Sequence, residues 1–260
     1  MISSLSNPQV KEIVLLQTKP RARRDSGLFV AEGLRLVEEI PDNYLVKAFF
    51  AEGSDPGIIE LAAKIKAEEV SENVFRKMSS TQTPQGILAV ARRPDWTLED
   101  VCKAPVCRTI MILEDIQDPG NLGTIIRTGE GAGISGIIAT HGTADLTNPK
   151  TVRSTMGSIF RVPYVVTDDL HETILSLKQR GFTIYAAALE GSVLYDVPDY
   201  TAPSAFLIGN EGNGLTAEAY AAADKAVRIP MSGMVESLNA AVASAILMYE
   251  ARRQKQHAIT

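Results

Sequence analysis

The sequence predicts an α/β protein in two parts: a small α/β domain over residues 1–93 and a larger domain over 108–260 with a mainly parallel sheet. Three observations predict it. Apolar strand-like runs alternate with helical segments along the whole chain. A polar stretch at 94–107, bracketed by Pro94 and Pro105 and holding Trp96, separates two patterned regions and reads as a linker. Beyond it the strand candidates are continuous apolar runs, the pattern of strands covered on both faces.

In the first part, 27–32, 44–51 and 86–91 read as strands and 7–17, 33–40 and 57–68 as helices, together a small α/β sandwich. Between the first helix and the first strand, Lys19, Arg21, Arg23 and Arg24 fall within six residues that hold no acid. Such a cluster neutralises phosphates locally; the bland alternative is a solvated loop. In the linker region Cys102 and Cys107 have neither a second Cys pair nor clustered histidines near them, so they read as buried or incidental thiols and no metal site is expected.

In the second part the strand candidates are 109–114, 136–140, 162–166, 183–189, 205–208 and 226–229, with helices at 122–132, 149–158, 171–180 and 217–223. The last helix carries nine consecutive uncharged residues, 240–248. With small and apolar residues on all sides, it should be enclosed by its own domain, by a partner subunit, or by both.

Composition narrows the class. Of the 260 residues 45% are hydrophobic and 22% charged, the mix of a globular chain with a full core. No apolar stretch reaches the ~18 residues of a membrane helix, and the first residues lack the basic and apolar blocks of a signal peptide, so a cytoplasmic protein is expected. The net charge of −5 is unevenly shared: residues 1–93 hold 13 Lys and Arg against 12 Asp and Glu, residues 94–260 hold 13 against 19. The acidic excess lies wholly in the second part, which leaves the first free to meet a polyanion.

Parallel sheets bind ligands beyond the carboxyl ends of their strands, and three conspicuous loops sit there. In the first, Asp118-Pro119-Gly120-Asn121 makes a turn with Asn121 placed to cap the helix from 122, while Arg127 faces another way on that helix. The second, Gly209-Asn210-Glu211-Gly212-Asn213-Gly214, has more glycines than one tight turn explains, yet it lacks both the dinucleotide-binding and the P-loop order. In the third, Ser237 is expected to open the last helix as its N-cap, with Asn239 in the first turn. Each alone reads as ordinary capping or turning. Their coincidence at one sheet edge does not.

The three segments DPGNLGTIIR, IGNEGNGL and IPMSGMVESLNAAVA resemble, in order and spacing, the three motifs of SpoU-type methyltransferases of the SPOUT superfamily, and the resemblance spans about 108–253. The segments AEGLRLVEE and TPQGILAV of the first part resemble the substrate-binding domain, similar to a small ribosomal-protein RNA-binding fold, that precedes this catalytic domain in many rRNA methyltransferases.

That resemblance implies a C-terminal trefoil knot, against the general rarity of knots, a homodimer, and S-adenosyl-L-methionine as cofactor. It places Asn121 and Arg127 in the first motif, Glu211 in the second, and Ser237 and Asn239 in the third as catalytic candidates. Cofactor contacts are expected at Leu189, Gly209, Ile229 and Leu238. The implied reaction is methyl transfer to a ribose 2′-hydroxyl, with 23S rRNA as the expected substrate and tRNA as the alternative. The family assigns proton removal to the arginine; a guanidinium is a poor base, and Arg127 reads better as a phosphate anchor that stabilises the developing alkoxide. RNA contacts in the first part are expected at Arg21, Arg23 and Arg24. Two rivals fare worse. A nicotinamide-dependent oxidoreductase needs a fingerprint this chain lacks, and a non-catalytic RNA-binding protein leaves the three motifs unexplained.

Overall fold

In the computed structural model, which describes residues 1–103, 108–235 and 237–258, the chain divides into two compact units. One joins Met1–Asp95 with Asp145–Phe160, the other Trp96–Ala144 with Arg161–Thr260. The change of unit after Asp95 falls inside the stretch read as a linker, 94–107, which carries a short helix at Leu98–Cys102 and of which 104–107 lie outside the described residues. Residues 145–160, expected within the larger domain, cluster with the first unit.

The first unit runs α1 (Pro8–Thr18), α2 (Pro20–Ser26), β1 (Leu28–Glu32), α3 (Leu34–Glu38), β2 (Leu45–Ala51), α4 (Pro56–Lys64), β3 (Glu68–Val70), α5 (Glu72–Met78) and β4 (Ile87–Arg92). Pro8 at the first helical position and the Asn7 side chain, which accepts from the Gln9 N–H, start α1; Val10, Ile13 and Leu16 then recur on its buried face. The sheet has the order β1-β4-β2-β3, antiparallel except for the β2–β3 pair. Its core packs those α1 residues and Val74, Phe75 and Met78 of α5 on Val30, Phe49, Leu88 and Val90.

The basic run is not a loop. Residues 20–26 form α2, which ends where Gly27 takes a left-handed φ of 67°. A helical period sends Arg21 and Arg24 to solvent and Arg23 inward, where only 3% of it is exposed. There it donates to Asp145 at 2.6 and 3.1 Å and to the Leu16 carbonyl at 2.9 Å. The expected RNA contact at Arg23 is thereby corrected: a buried guanidinium needs an anion inside the fold, and Asp145 supplies it.

The second unit holds α6 (Leu98–Cys102), β5 (Thr109–Leu113), α7 (Pro119–Ala132), β6 (Gly136–Thr140), β7 (Tyr164–Thr167), α9 (Leu170–Gln179), β8 (Thr183–Ala187), β9 (Val193–Leu194), β10 (Ser204–Ile208), α10 (Ala217–Ala222), β11 (Lys225–Arg228) and α11 (Ala240–His257). Helix α8 (Pro149–Thr155) and a 3-10 turn at Ser158–Phe160 belong to the first unit. The single helix expected over 149–158 breaks because Met156 takes a left-handed φ of 49°.

Seven strands line up as β7-β6-β5-β10-β8-β11-β9, and every pairing is parallel. All residues of β5 and β10 are buried, as continuous apolar runs require. One face packs Val101, Ile174 and Leu177 on Ile110, Ile112, Ile184 and Leu207. On α7 a Cβ at Gly129 would fall 2.5 Å from Ile134 Cδ1, so the missing side chain makes room for Ile134 where the chain turns out of the helix.

Helix α11 runs past the uncharged stretch to residue 257. Its own domain covers Ala240, Ala241, Ser244, Leu247, Met248 and Ala251, while Val242 and Tyr249 remain about half exposed at 48% and 50%. Lys255 is buried, and its ammonium donates to the carbonyls of Tyr200 and Ala202, which satisfy it inside the fold. Cys102 is buried in α6, and Cys107 lies outside the described residues. No helix among the described residues is long and apolar enough to cross a membrane.

Candidate active site at the carboxyl edge of the parallel sheet

Because β5, β10, β8 and β11 run parallel in adjacent positions, the segments that leave their carboxyl ends emerge at one edge. Leu113 and Ile208 are register partners, so the first and second motif loops start side by side. The Asn210 amide then donates to the Asp115 carbonyl at 2.8 Å and ties the loops together. Asp115 itself has a left-handed φ of 56°, a strained conformation held by its carboxylate accepting from Thr140 Oγ1 at 2.5 Å.

The glycines of the second loop have a specific job. A Cβ on Gly209 would lie 2.2 Å from the carbonyl carbon of Gly214, because the loop closes on itself through mutual hydrogen bonds between Asn210 and Gly214. Asn210 Oδ1 accepts from the Gly212 and Asn213 N–H groups at 2.9 and 3.1 Å. This closed loop fixes Glu211 in space.

Glu211 is the hub. Its carboxylate accepts from Asn121 Nδ2 at 2.9 Å and from the backbone N–H groups of Gln117 and Asp118 at 3.1 and 3.3 Å. Asn239 Nδ2 donates in turn to Asn121 Oδ1 at 2.9 Å. One hydrogen-bonded chain thus joins the three motifs through Glu211, Asn121 and Asn239. Partial burial raises the Glu211 pKa, but the bonds from Asn121, Gln117 and Asp118 outweigh it and hold the carboxyl below its ordinary range.

Two expected caps are corrected here. Helix α7 begins at Pro119, not 122, and its cap is Asp118, whose carboxylate accepts from the Gly120 and Asn121 N–H groups at 2.6 and 2.9 Å. Asp118 precedes a Pro at the first helical position, and that signal identifies the cap. The Asn121 side chain is thereby released for Glu211. At α11 the cap is Asn239, accepting from the Ala241 and Val242 N–H groups at 2.9 and 3.3 Å, and Ser237 lies two residues before it. Asn239 therefore spends its oxygen on the helix and its amide on Asn121.

Below this chain lies a cavity of about 560 Å³. Leu189, Gly209, Ile229 and Leu238 all line it, as do Glu211, Ser237 and Asn239. Val227, Ala243 and Leu247 add apolar wall. Volume and lining are those of a small-molecule site: apolar surface with a few convergent polar groups. Arg127 is elsewhere. It is exposed on α7, outside the cavity lining, and has no partner among the described residues.

Residues 108–249, which carry this cavity, match the SpoU rRNA Methylase family, and residues 7–89 match the MRM3-like substrate binding domain. The chain is 36% identical over 252 residues to the 23S rRNA (guanosine(2553)-2′-O)-methyltransferase RlmP of Bacillus subtilis, covering 96% of this chain and 98% of that protein. It is 39% identical over 160 residues to the tRNA (guanosine(18)-2′-O)-methyltransferase of Thermus thermophilus, covering 61% of this chain and 81% of that one. Among solved structures, the AdoMet-bound rRNA methyltransferase from Sinorhizobium meliloti superposes with a TM-score of 0.82 at 35% identity, covering 97% of each chain.

Proposed function

Because the chain belongs to the SpoU rRNA methylase family, we propose that it transfers the methyl group of S-adenosyl-L-methionine to a ribose 2′-hydroxyl of RNA, with 23S rRNA as substrate. The observation that carries the reading is the cavity lined by Glu211 and Asn239, the two residues that Asn121 bridges. Its residues suit the cofactor: apolar side chains at Leu189, Ile229 and Leu238 would enclose an adenine, with backbone at Gly209 open to polar contacts. S-adenosyl-L-methionine supplies an activated sulfonium methyl, so this chain's residues have mainly to orient a hydroxyl and receive a proton.

Asn121 and Asn239 hold the rim in shape, Glu211 keeps a negative charge beside it, and Ser237 offers a hydroxyl to the substrate end of the cavity. Arg127 anchors the RNA phosphate and stabilises the developing alkoxide. Since Arg127 stands outside its own cavity lining, the reading gives it to the cavity of a second copy, in a homodimer built on α11, where Val242 and Tyr249 leave an apolar strip uncovered. A strand order in which β10 lies between β5 and β8 suits the knotted return of the chain, and the protein works in the cytoplasm. Arg21 and Arg24 serve as outlying phosphate contacts.

The rRNA reading is favoured over tRNA because the rRNA-methylating relative aligns with nearly the whole chain and the tRNA-methylating one with 61%. Incubation with methyl-labelled cofactor and separate 23S rRNA and tRNA transcripts, followed by alkaline hydrolysis, tests both points. Label in an alkali-resistant dinucleotide from rRNA is expected; label on a base, or in no transcript, would overturn the proposal. Sedimentation of Val242→Glu beside wild type should turn a dimer into an inactive monomer.

A further inference from the structure

We infer, resting on the RNA-methylating function above, that the first unit holds unpaired RNA on a rigid uncharged loop at 79–85 and the adjoining Arg153, more than on the basic helix α2. The loop is built around a buried carboxylate. Glu32, at the end of β1, is 7% exposed and accepts from Ser79 Oγ at 2.5 Å, Thr81 Oγ1 at 2.8 Å and the Ser80 N–H at 3.1 Å. A buried carboxylate costs stability unless every lone pair is used, and here the donors all come from one short turn.

The ends of the loop are pinned as well. Gly33 has a φ of 109°, and a Cβ there would lie 2.6 Å from Gln85 Oε1. The Gly33 N–H donates to the Ile87 carbonyl at 3.0 Å. Such ordering of a segment without helix or strand goes beyond what closing a connection needs, and rigid loops are where binding residues concentrate.

What the loop displays is suited to RNA. Ser80, Gln82, Thr83 and Gln85 are exposed, and residues 79–86 contain no charge. Hydroxyls and amides both donate and accept, which matches base edges and the ribose 2′-hydroxyl. The positive charge comes from α8: Arg153 Nη1 donates to Ser80 Oγ at 2.8 Å, and Arg153 has no acidic partner among the described residues. In α2, by contrast, Arg23 is consumed by Asp145 and Arg21 pairs with Asp25 at 3.3 Å, which leaves Arg24 as the one arginine of that helix without an acidic partner among the described residues. The cation free to meet a phosphate beside an ordered polar loop is Arg153.

Filter binding and steady-state methylation of one 23S rRNA transcript test the inference. Arg153→Ala should raise KM about fivefold and flatten the log–log salt dependence of binding by about 0.7. Arg153→Ala combined with Gln82→Ala and Thr83→Ala should raise KM further, with kcat at saturating RNA and cofactor affinity unchanged. Thr83→Glu, an exposed change that brings a repelling charge, should weaken binding alone, with an unaltered melting temperature. A KM within twofold of wild type in both the triple variant and Thr83→Glu would overturn the inference. Loop-dependent binding without methyl transfer would overturn the function and uphold the loop; methyl transfer with loop-independent binding would do the reverse.

Discussion

The carboxyl edge of the seven-stranded sheet and the basic stretch at 19–24 behave in opposite ways. At the sheet edge, Asn121 meets Glu211 across 90 positions and Asn239 across 118, each at 2.9 Å. In the basic stretch, neighbours in sequence part company: Arg23 enters the core while Arg21 and Arg24 face solvent. Parallel strands converge on one edge whatever their separation in sequence, so motif loops become partners by topology. A charge run carries no such rule, because a helical period divides its members between two environments.

The largest effect that would sharpen this contrast is at Arg127. Exposed, without a partner among the described residues, it has no structural work for substitution to disturb. Arg127→Ala should keep fold and cofactor affinity while lowering kcat by about 10²–10³-fold, the range for loss of one donor that stabilises transition-state charge. Single-turnover methylation beside calorimetric cofactor binding reads both. Wild-type turnover would remove Arg127 from catalysis.

Glu211 comes next. In Glu211→Gln one acceptor oxygen becomes an NH₂, which then faces either the Gln117 N–H or the pair of donors from Asn121 and Asp118, and methyl transfer should fall about 10–100-fold. The pH response has a defined sign. Burial opposes the Glu211 charge, but its hydrogen bonds keep the pKa below the usual value, so its contribution is complete above the unfolded carboxylate value and lost as pH falls through the lower folded one. Wild type should lose activity on that acid limb with a carboxylate dependence that Glu211→Gln lacks. An acid limb shared by both would assign the titration to another group.

How much of this was legible differs by feature. The parallel sheet and the three loops followed from apolar runs ending in Gly- and Asn-rich segments, signals set by backbone chemistry. The four cavity-lining positions came instead with the motif resemblance, since nothing in Leu189 or Ile229 alone marks a binding residue. The caps were misassigned because Asn121 and Asn239 each have the chemistry for capping and for the site; only the structure shows that Asp118 frees one while the other does both. The membership of 145–160 in the first unit is not legible, since α8 has an ordinary helical pattern and the partners are remote in sequence: Ser80 is 73 residues from Arg153, and Arg23 is 122 from Asp145. Helix α2 went unread because a run of charge masks the single inward position.

Arg23 therefore belongs with stability. Arg23→Ala leaves Asp145 without its guanidinium and the Leu16 carbonyl without a donor. Asp145 is partly exposed, its side chain at 30%, so the cost should fall below that of a fully buried pair, at about 2–3 kcal/mol. Urea unfolding of the single variants and of Arg23→Ala/Asp145→Ala completes a double-mutant cycle. Burial opposes the Asp145 charge, but Thr147 and Arg23 lower its pKa. Wild type should accordingly lose stability as pH falls through that depressed value, and Arg23→Ala should lose less over the same range. A coupling energy near zero would return Arg23 to the surface role its sequence neighbours suggest.

The smallest effect is expected at Arg21 and Arg24, and it tests the other half of the contrast. Both are exposed, and Arg21 is engaged only with Asp25 one helical turn on, with side chains 85% and 67% exposed. An exposed pair of this kind contributes little to stability, so Arg21→Ala/Arg24→Ala should unfold in urea within about 0.5 kcal/mol of wild type. If the two arginines meet phosphates, removing either one lowers the salt dependence of RNA binding by about 0.7–0.9 log units per tenfold change in salt. The cofactor site would not respond, since its residues belong to the parallel sheet edge, so kcat at saturating RNA should stay at the wild-type value. Binding isotherms across a salt series separate the outcomes: a flatter slope with unchanged stability makes α2 a helix that divides its charge between core and RNA. An unchanged slope leaves Arg21 and Arg24 as solvated charge, and the whole functional content of the basic run then reduces to the buried Arg23.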